Sequence, residues 1–236
     1  MKYMGSKRRI AKEILPIILK DRQENQWYVE PFVGGANIID KVSGNRIAGD
    51  INKYLIALLK EMQKEDLCLP FIGEKEYANI RYNQDKYPDW LIGYVGFQLS
   101  FGAKWFGGYR RDKAGIRNYE NEAQQNLQAQ QNLQAQQNLI KDIKIFCCNY
   151  WELPIPNNSI IYCDPPYANS TKYKDKFDHN KFWIWCEEMS HKGHKVFVSE
   201  YFAPLEWKSV WSKKVTAMLE VHNYKDNIEN LFIYNY

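Results

Sequence analysis

The stretch that decides the fold is residues 26–50, QWYVEPFVGGANIIDKVSGNRIAGD. Residues 26–32 are aromatic and β-branched, which favours a strand, and the glycine pair 34–35 stops that strand in a tight turn. Residues 36–42 have a helical pattern, and residues 45–50 form a second short strand pattern that ends in an acid. A strand, a glycine turn, a helix and a further strand make a βαβ unit, which predicts an α/β fold.

The same rhythm extends on both sides of this unit. Residues 9–20 and 51–64 read as helices, and residues 51–64 place four apolar side chains on one face. After residue 142, apolar runs at 143–148, 159–163 and 195–199 predict strands. Asp178 is a candidate N-cap for a helix at 179–192, and Gly193 is its expected stop. Two more strand-like runs follow, so the α/β pattern occupies both ends of the chain.

Residues 65–140 break the rhythm with prolines and many glycines, so we expect an insert at 61–140 between core segments 1–60 and 141–236. Within the insert, residues 90–101 have a helical pattern and residues 101–117 read as an irregular loop. Its part from Lys104 to Arg117 carries a local excess of positive charge, and the rest of the chain is nearly neutral. Such a basic, aromatic segment favours binding to a polyanion, and a solvated surface loop is the alternative.

The sequence QQNLQA occurs at 124–129 and again at 130–135, and a third copy begins at 136. Its leucines, Leu127, Leu133 and Leu139, are six residues apart. Six residues advance a helix by about 240° net, so the leucines point to three different faces and do not form a coiled-coil seam. The repeat therefore predicts a helical spacer, and a self-association element is the alternative.

The cysteines, the histidines and the apolar runs give no indication of disulfides, a metal site or a membrane span. The five cysteines include no CxxC pair, and the four histidines have no metal-ligand spacing, so free thiols and no metal are expected. No signal peptide and no run of transmembrane length is found, which predicts a cytoplasmic protein without a membrane partner.

The strongest chemical signal is Asp164-Pro165-Pro166-Tyr167, directly after the strand pattern 159–163. The prolines fix φ and remove N–H donors, so the carbonyls of this turn and the Asp164 carboxylate are acceptors, and Tyr167 adds a flat ring. Two acceptors that hold the hydrogens of a nucleobase amine free its lone pair for methyl transfer, and an aromatic ring holds the base by stacking.

Two further features fit a nucleoside-containing cofactor. Gly34-Gly35 after the first strand allows a ligand to approach the backbone closely, but the pattern is not the GxGxxG of dinucleotide sites. Asp50 ends the next strand, where an acid is able to accept both hydroxyls of a ribose.

With these motifs, the chain resembles the adenine-specific DNA methylases of the alpha motif order, and phage-encoded members look closest. The resemblance implies a Rossmann-like class I S-adenosylmethionine-dependent methyltransferase fold with a small, mostly helical target-recognition insert. It also implies S-adenosylmethionine as cofactor and a flipped-out adenine in double-stranded DNA as substrate. A monomer is expected, because one flipped base needs one active site.

The resemblance also assigns roles to residues. It implies a catalytic turn formed by Asp164, Pro165, Pro166 and Tyr167. The implied cofactor site comprises Tyr3, Met4, Gly5, Lys7, Glu30, Pro31, Phe32, Gly34, Gly35, Asp50, Asn149, Tyr150 and Asp164. The candidate DNA-binding residues are Lys104, Trp105, Tyr109, Arg110, Arg111, Lys113 and Arg117. Residues 195–201 resemble the strand and loop that shape the pocket for the target base.

One departure from the family leaves alternatives open. The family usually has an acid near Asn149 for the adenine amine of the cofactor, whereas an Asn side chain accepts through its carbonyl oxygen only. A catalytically silent DNA-binding relative is therefore one alternative to an adenine-N6 methyltransferase. A cytosine-N4 or RNA amino-methyltransferase is another, because the catalytic turn does not distinguish between bases that both present an amine.

Overall fold

A computed structural model describes residues 1–109, 119–167, 177–220 and 223–235. Seven strands of these residues form one sheet in the order β3-β2-β1-β4-β5-β7-β6. The strands are β1 (Tyr28–Glu30), β2 (Arg46–Asp50), β3 (Lys144–Cys147), β4 (Ile160–Cys163), β5 (Lys195–Glu200), β6 (Trp207–Glu220) and β7 (Asn223–Tyr234).

Neighbouring strands from β3 to β5 are parallel, and β7 pairs antiparallel with both β5 and β6. β1 and β4 are buried along their whole length, as expected for central strands that are covered on both faces. The chain runs outward from β1 to β3 on one side and from β4 to β5 on the other. The switch point of the topology therefore lies between β1 and β4, where sheets of this kind bind ligands beyond the carboxyl ends of the strands.

The helices are α1 (Ala11–Ile18), α2 (Lys53–Met62), α3 (Glu74–Tyr82), α4 (Asp89–Gly93), α5 (Tyr119–Ile140) and α6 (His179–His191). The Asp178 carboxylate accepts from the backbone N–H of Lys181 at 3.0 Å, so the predicted N-cap of α6 is confirmed. Gly193, with φ +88°, follows the end of α6.

Two predicted helices differ in detail from the structure. Residues 36–42 contain only the 3₁₀ turn Ile39–Lys41, because Ala36 has φ +55°, which is incompatible with a right-handed helix. Residues 90–101 divide between α4 and the π-helical turn Tyr94–Gln98. In that turn Gly96 leaves room for the Trp105 ring, since a Cβ at residue 96 would lie 2.5 Å from it.

The insert and the sheet share one hydrophobic cluster. Side chains of α4, the π-helical turn and α5 pack in the same buried cluster as those of α1 and α2. Leu133 on α5 is fully buried, whereas Leu127 and Leu139 are 53% and 48% exposed, which confirms that the three leucines lie on different faces. The boundaries of the predicted domains stay a prediction.

Candidate active site

The glycine loop after β1 is packed under the ring of Tyr3. Gly34 has φ +48°, and a Cβ there would lie 2.8 Å from that ring; a Cβ on Gly35 would lie 2.7 Å from the Tyr3 Cβ. Only glycine therefore allows Tyr3 to approach the loop this closely. Met4 beside it is exposed, and Gly5 has φ +79°. The structure thus brings the predicted N-terminal motif onto the predicted glycine loop.

Asp50, at the end of β2, joins the loops that follow two neighbouring strands. Its carboxylate accepts from the backbone N–H of Gly34 at 3.1 Å and from that of Asn52 at 2.9 Å. Burial raises the pKa of the Asp50 carboxyl, and these N–H donors oppose the rise. The predicted ribose-binding acid is therefore fixed beside the glycine loop.

Glu30 ends β1 beneath the same loop and is followed by the buried Pro31. The Glu30 side chain is buried and accepts from the Tyr28 hydroxyl at 2.8 Å. Burial raises its pKa well above the ordinary value, Asp40 and Asp164 add to the rise, and the Tyr28 hydrogen bond opposes it. The carboxyl therefore favours its neutral form more than an exposed glutamate does.

Phe32 and Tyr150 form an aromatic wall at this edge of the sheet, with ring centroids 5.2 Å apart. The backbone N–H and the side-chain Nδ2 of the preceding Asn149 both donate to the Glu152 carboxylate at 3.0 Å. Sequence reasoning did not single out Glu152. Its carboxylate brings a negative charge next to Asn149, at the position where the family usually has an acid.

The Asp164 turn follows β4, across the switch point from the glycine loop. The Lys7 ammonium lies 3.1 Å from the Asp164 carboxylate and 4.4 Å from the centroid of the Tyr167 ring. Burial raises the pKa of Asp164, and Lys7 opposes the rise. For Lys7 itself, burial disfavours the charged form, but Asp164 and Glu229 outweigh burial and its pKa lies above the ordinary value.

Glu229 on β7 is a site residue that sequence reasoning missed. It is buried, accepts a short hydrogen bond from the Tyr167 hydroxyl, and lies 3.6 Å from the Lys7 ammonium. Burial raises its pKa, while Lys7 and the Tyr167 hydrogen bond lower it. Two carboxylates, the partly exposed Asp164 and the buried Glu229, therefore share the ammonium of Lys7.

The loop after β5, which the resemblance assigns to the pocket of the target base, contacts the same turn. The Tyr201 ring meets the Tyr167 ring edge to face, with centroids 4.6 Å apart. The Tyr201 carbonyl accepts from the side chain of Asn230 on β7 at 3.1 Å. The loop of the predicted base pocket is therefore linked to the strand that carries Glu229.

The candidate DNA-binding residues divide into three groups. Lys104 is exposed. Trp105 and Tyr109 take part in packing: the Trp105 ring stacks on Tyr54 at 5.2 Å, and the Tyr109 hydroxyl donates to the Ile72 carbonyl at 2.9 Å. The rest lie outside the described residues, namely Arg110, Arg111, Lys113 and Arg117. DNA contact stays a prediction for all seven.

In the described part of the chain, no cluster of three or more His, Cys, Asp or Glu side chains has the arrangement of a metal site. No helix in the same residues combines the length and the apolar character needed to cross a membrane.

A glycine loop and an Asp-Pro-Pro-Tyr turn that meet at the switch point of an α/β sheet define the class: a Rossmann-like S-adenosylmethionine-dependent methyltransferase. The chain belongs to the D12 class N6 adenine-specific DNA methyltransferase family, whose profile matches residues 3–88 and 106–229. The predicted family, fold class and cofactor are thereby confirmed.

Comparison with curated proteins found no match. Among solved structures the chain is similar to SMU.472, crystallised with SAH, at 15% identity and a TM-score of 0.37. The alignment covers 98% of this chain and 53% of that one, so this chain spans about half the length of that protein.

Proposed function

We propose that this protein is a site-specific, adenine-specific DNA methyltransferase that methylates N6 of a flipped-out adenine in double-stranded DNA. The observation that carries the proposal is the position of the Asp164 carboxylate. Asp164 directly follows β4, which pairs with β1, the strand that leads into the glycine loop, and the Lys7 ammonium lies 3.1 Å from the carboxylate. Family membership supports the same substrate and reaction.

Residues of this chain would hold the target amine and stabilise the charge that develops on its nitrogen. Asp164 and a carbonyl of the proline turn would accept the two hydrogens of the N6 amine, which localises the lone pair on nitrogen. The negative charge of Asp164 would also stabilise the positive charge that develops on N6 during attack, and one proton of the methylated amine would then pass to water. S-adenosylmethionine, when bound, supplies an electrophilic methyl group on a sulfonium.

Residues of the glycine-loop side fit this cofactor. Gly34 and Gly35 present backbone without side chains, and Asp50 is a fixed carboxylate of the kind that binds ribose hydroxyls. Asn149 is oriented by Glu152, so its amide and that carboxylate together are candidates for the adenine amine. We propose that these groups compensate for the acid that the family pattern would have at residue 149.

The insert at 61–140 is proposed as the DNA target-recognition lobe, with Lys104 as its exposed cation among the described candidates. Phosphate contacts suit such a cation, since they position the duplex independently of sequence. A monomeric state and a cytoplasmic location stay predictions of the sequence.

The test is transfer of labelled methyl from S-adenosylmethionine to unmethylated DNA, followed by nucleoside analysis. Asp164→Asn removes the charge but keeps the shape of the side chain, and Asp89→Asn, in an exposed ion pair with Lys53, is the matched control. N6-methyladenine that is lost in Asp164→Asn and retained in Asp89→Asn is expected. N4-methylcytosine would contradict the substrate, and DNA binding without methyl transfer would indicate a silent relative.

A further inference from the structure

The glutamine-rich helix α5 buries one polar face against the rest of the chain. Its buried positions are three or four residues apart, so they form one stripe along the helix. They are Glu122, Asn126, Ala129, Leu133, Gln136 and Ile140. A helix with only a spacer role would not bury amides and a carboxylate, because each buried polar group needs a hydrogen-bonding partner.

The three repeat copies place the same residue in three environments. Gln124, Gln130 and Gln136 are the first residues of successive copies, and each copy rotates the next by about 240°. Gln124 is exposed, and Gln130 is half-buried and donates to the Leu69 carbonyl at 2.8 Å. Gln136 is only 4% exposed. Gln124 and Gln130 are therefore matched control positions for substitutions of the buried Gln136.

The Gln136 side chain is hydrogen-bonded to the loop that follows β1. Its Nε2 donates to the carbonyls of Gly35 and Ala36, both at 3.1 Å, and to the Asp40 carboxylate at 2.8 Å. Its Oε1 accepts from the amine of Met1 at 2.5 Å. A single amide from the insert therefore contacts consecutive carbonyls of the glycine loop.

That loop has an unfavourable backbone that needs outside support. Gly34 and Ala36 both have positive φ, and for a residue with a Cβ, such as Ala36, this conformation costs about 1 kcal/mol. Such conformations persist only where surrounding contacts hold them. The two carbonyls bonded by Gln136 belong to this segment, and Asp40, its third acceptor, is itself paired with Lys41 at 2.6 Å.

We propose that Gln136 is a positioning residue for cofactor binding: it holds the Gly34–Ala36 backbone in the shape that accepts S-adenosylmethionine, and so couples the glutamine-rich helix to the cofactor site. The inference rests on the proposed function. It assigns to Gln136 a role that the first glutamines of the other copies do not share, because Gln124 is exposed and Gln130 donates to the Leu69 carbonyl.

The test replaces Gln136 with Met, which has a similar length and no hydrogen bonds, and applies the same change to Gln124. For Gln136→Met, the Kd and KM for S-adenosylmethionine should rise about tenfold, whereas kcat and the KM for DNA stay within about threefold. Gln124→Met should match the wild type. Gln130→Met should lower the thermal midpoint without changing the Kd, which separates loop positioning from general stability.

A Gln136→Met protein that folds and binds S-adenosylmethionine like the wild type would overturn the inference and leave the proposed function intact. A wild-type protein that binds no S-adenosylmethionine would overturn both. If Gln136→Met does not fold, Gln136→Asn keeps the amide but shortens the side chain by one methylene. The same selective rise in Kd is then expected, and an unchanged Kd would contradict the proposal.

Discussion

Replacing Lys7 with Gln tests most directly the charge balance among Lys7, Asp164 and Glu229 in the candidate active site. The change removes the ammonium that lies 3.1 Å from the partly exposed Asp164 carboxylate and 3.6 Å from the buried Glu229 carboxylate, so the two carboxylates lose the cation that they share. Lys7 favours the ionised form of both groups, so its loss raises both carboxyl pKa values. A protonated Asp164 is a weaker acceptor for the target amine.

The size of the effect follows from the distance. Two unit charges 3.1 Å apart interact by about 5 kcal/mol at an effective dielectric constant of about 20. The cost of taking the charges out of water offsets a large part of this, so we expect a net effect of about 1.4 to 3 kcal/mol. That corresponds to a rise of about one to two pH units in the carboxyl pKa.

The assay is the pH dependence of kcat/KM for methyl transfer, which reports ionisations of the free enzyme. The acidic limb of Lys7→Gln should move upward by about one to two pH units, and activity should recover partly at alkaline pH. Lys7→Arg should keep the wild-type limb. Lys53→Gln, which breaks an exposed pair with Asp89, is the matched control. An unmoved acidic limb in Lys7→Gln would refute the reasoning.

Three further predictions concern the loop, the sheet and the insert. Gly34→Ala adds a Cβ that would lie 2.8 Å from the Tyr3 ring, at a residue with positive φ. The Kd for S-adenosylmethionine, measured by calorimetry, should therefore rise about tenfold, and an unchanged Kd would contradict the close packing of Tyr3 on the loop. Ionised Glu30 is destabilised by burial, so stability should fall as pH rises from about 4.5 through its raised folded pKa. In thermal melts, Glu30→Gln should make this fall smaller, while the raised pKa values of Asp50, Asp164 and Glu229 keep part of it, and an unaltered pH dependence would argue against the reasoning. Trp105→Ala should lower the free energy of unfolding by about 2 to 4 kcal/mol in urea titrations. Lys104→Ala should leave the free energy of unfolding unchanged and reduce the slope of DNA affinity against salt concentration by about one. Unchanged stability and weaker DNA binding in Trp105→Ala would assign Trp105 to DNA contact instead of packing.

The sequence predicted those parts of the candidate site that depend on a few neighbouring residues. The Gly34-Gly35 turn, Asp50 and the Asp164 turn each follow a recognisable strand, and parallel strands bring their carboxyl ends to one edge. Strand patterns, glycines and prolines act within a few residues of the chain. For that reason the order of these elements and their meeting point were predictable without coordinates.

Other features depend on contacts between distant segments. Glu229 is an ordinary glutamate in the sequence, and only the placement of β7 beside β5 brings it to Lys7 and Tyr167. The packing of Trp105 requires the gap at Gly96, which is 9 residues earlier in the sequence. Neither is marked by a local pattern, so neither was predicted.

The glutamine-rich repeat has a consequence for how this chain tolerates changes of length. Insertion of one more QQNLQA unit would leave the same letters in the stretch from the present Gln124 to Ile140, counted back from the end of the helix, because the repeat regenerates its own sequence. The contacts of Gln136, Leu133 and Asn126 would therefore survive. The start of the helix, however, would move by about 9 Å along its axis and about 240° around it. Copy number would thus change the distance between the first turn of the helix and the loop that Gln136 contacts, and leave the contacts of Gln136 in place.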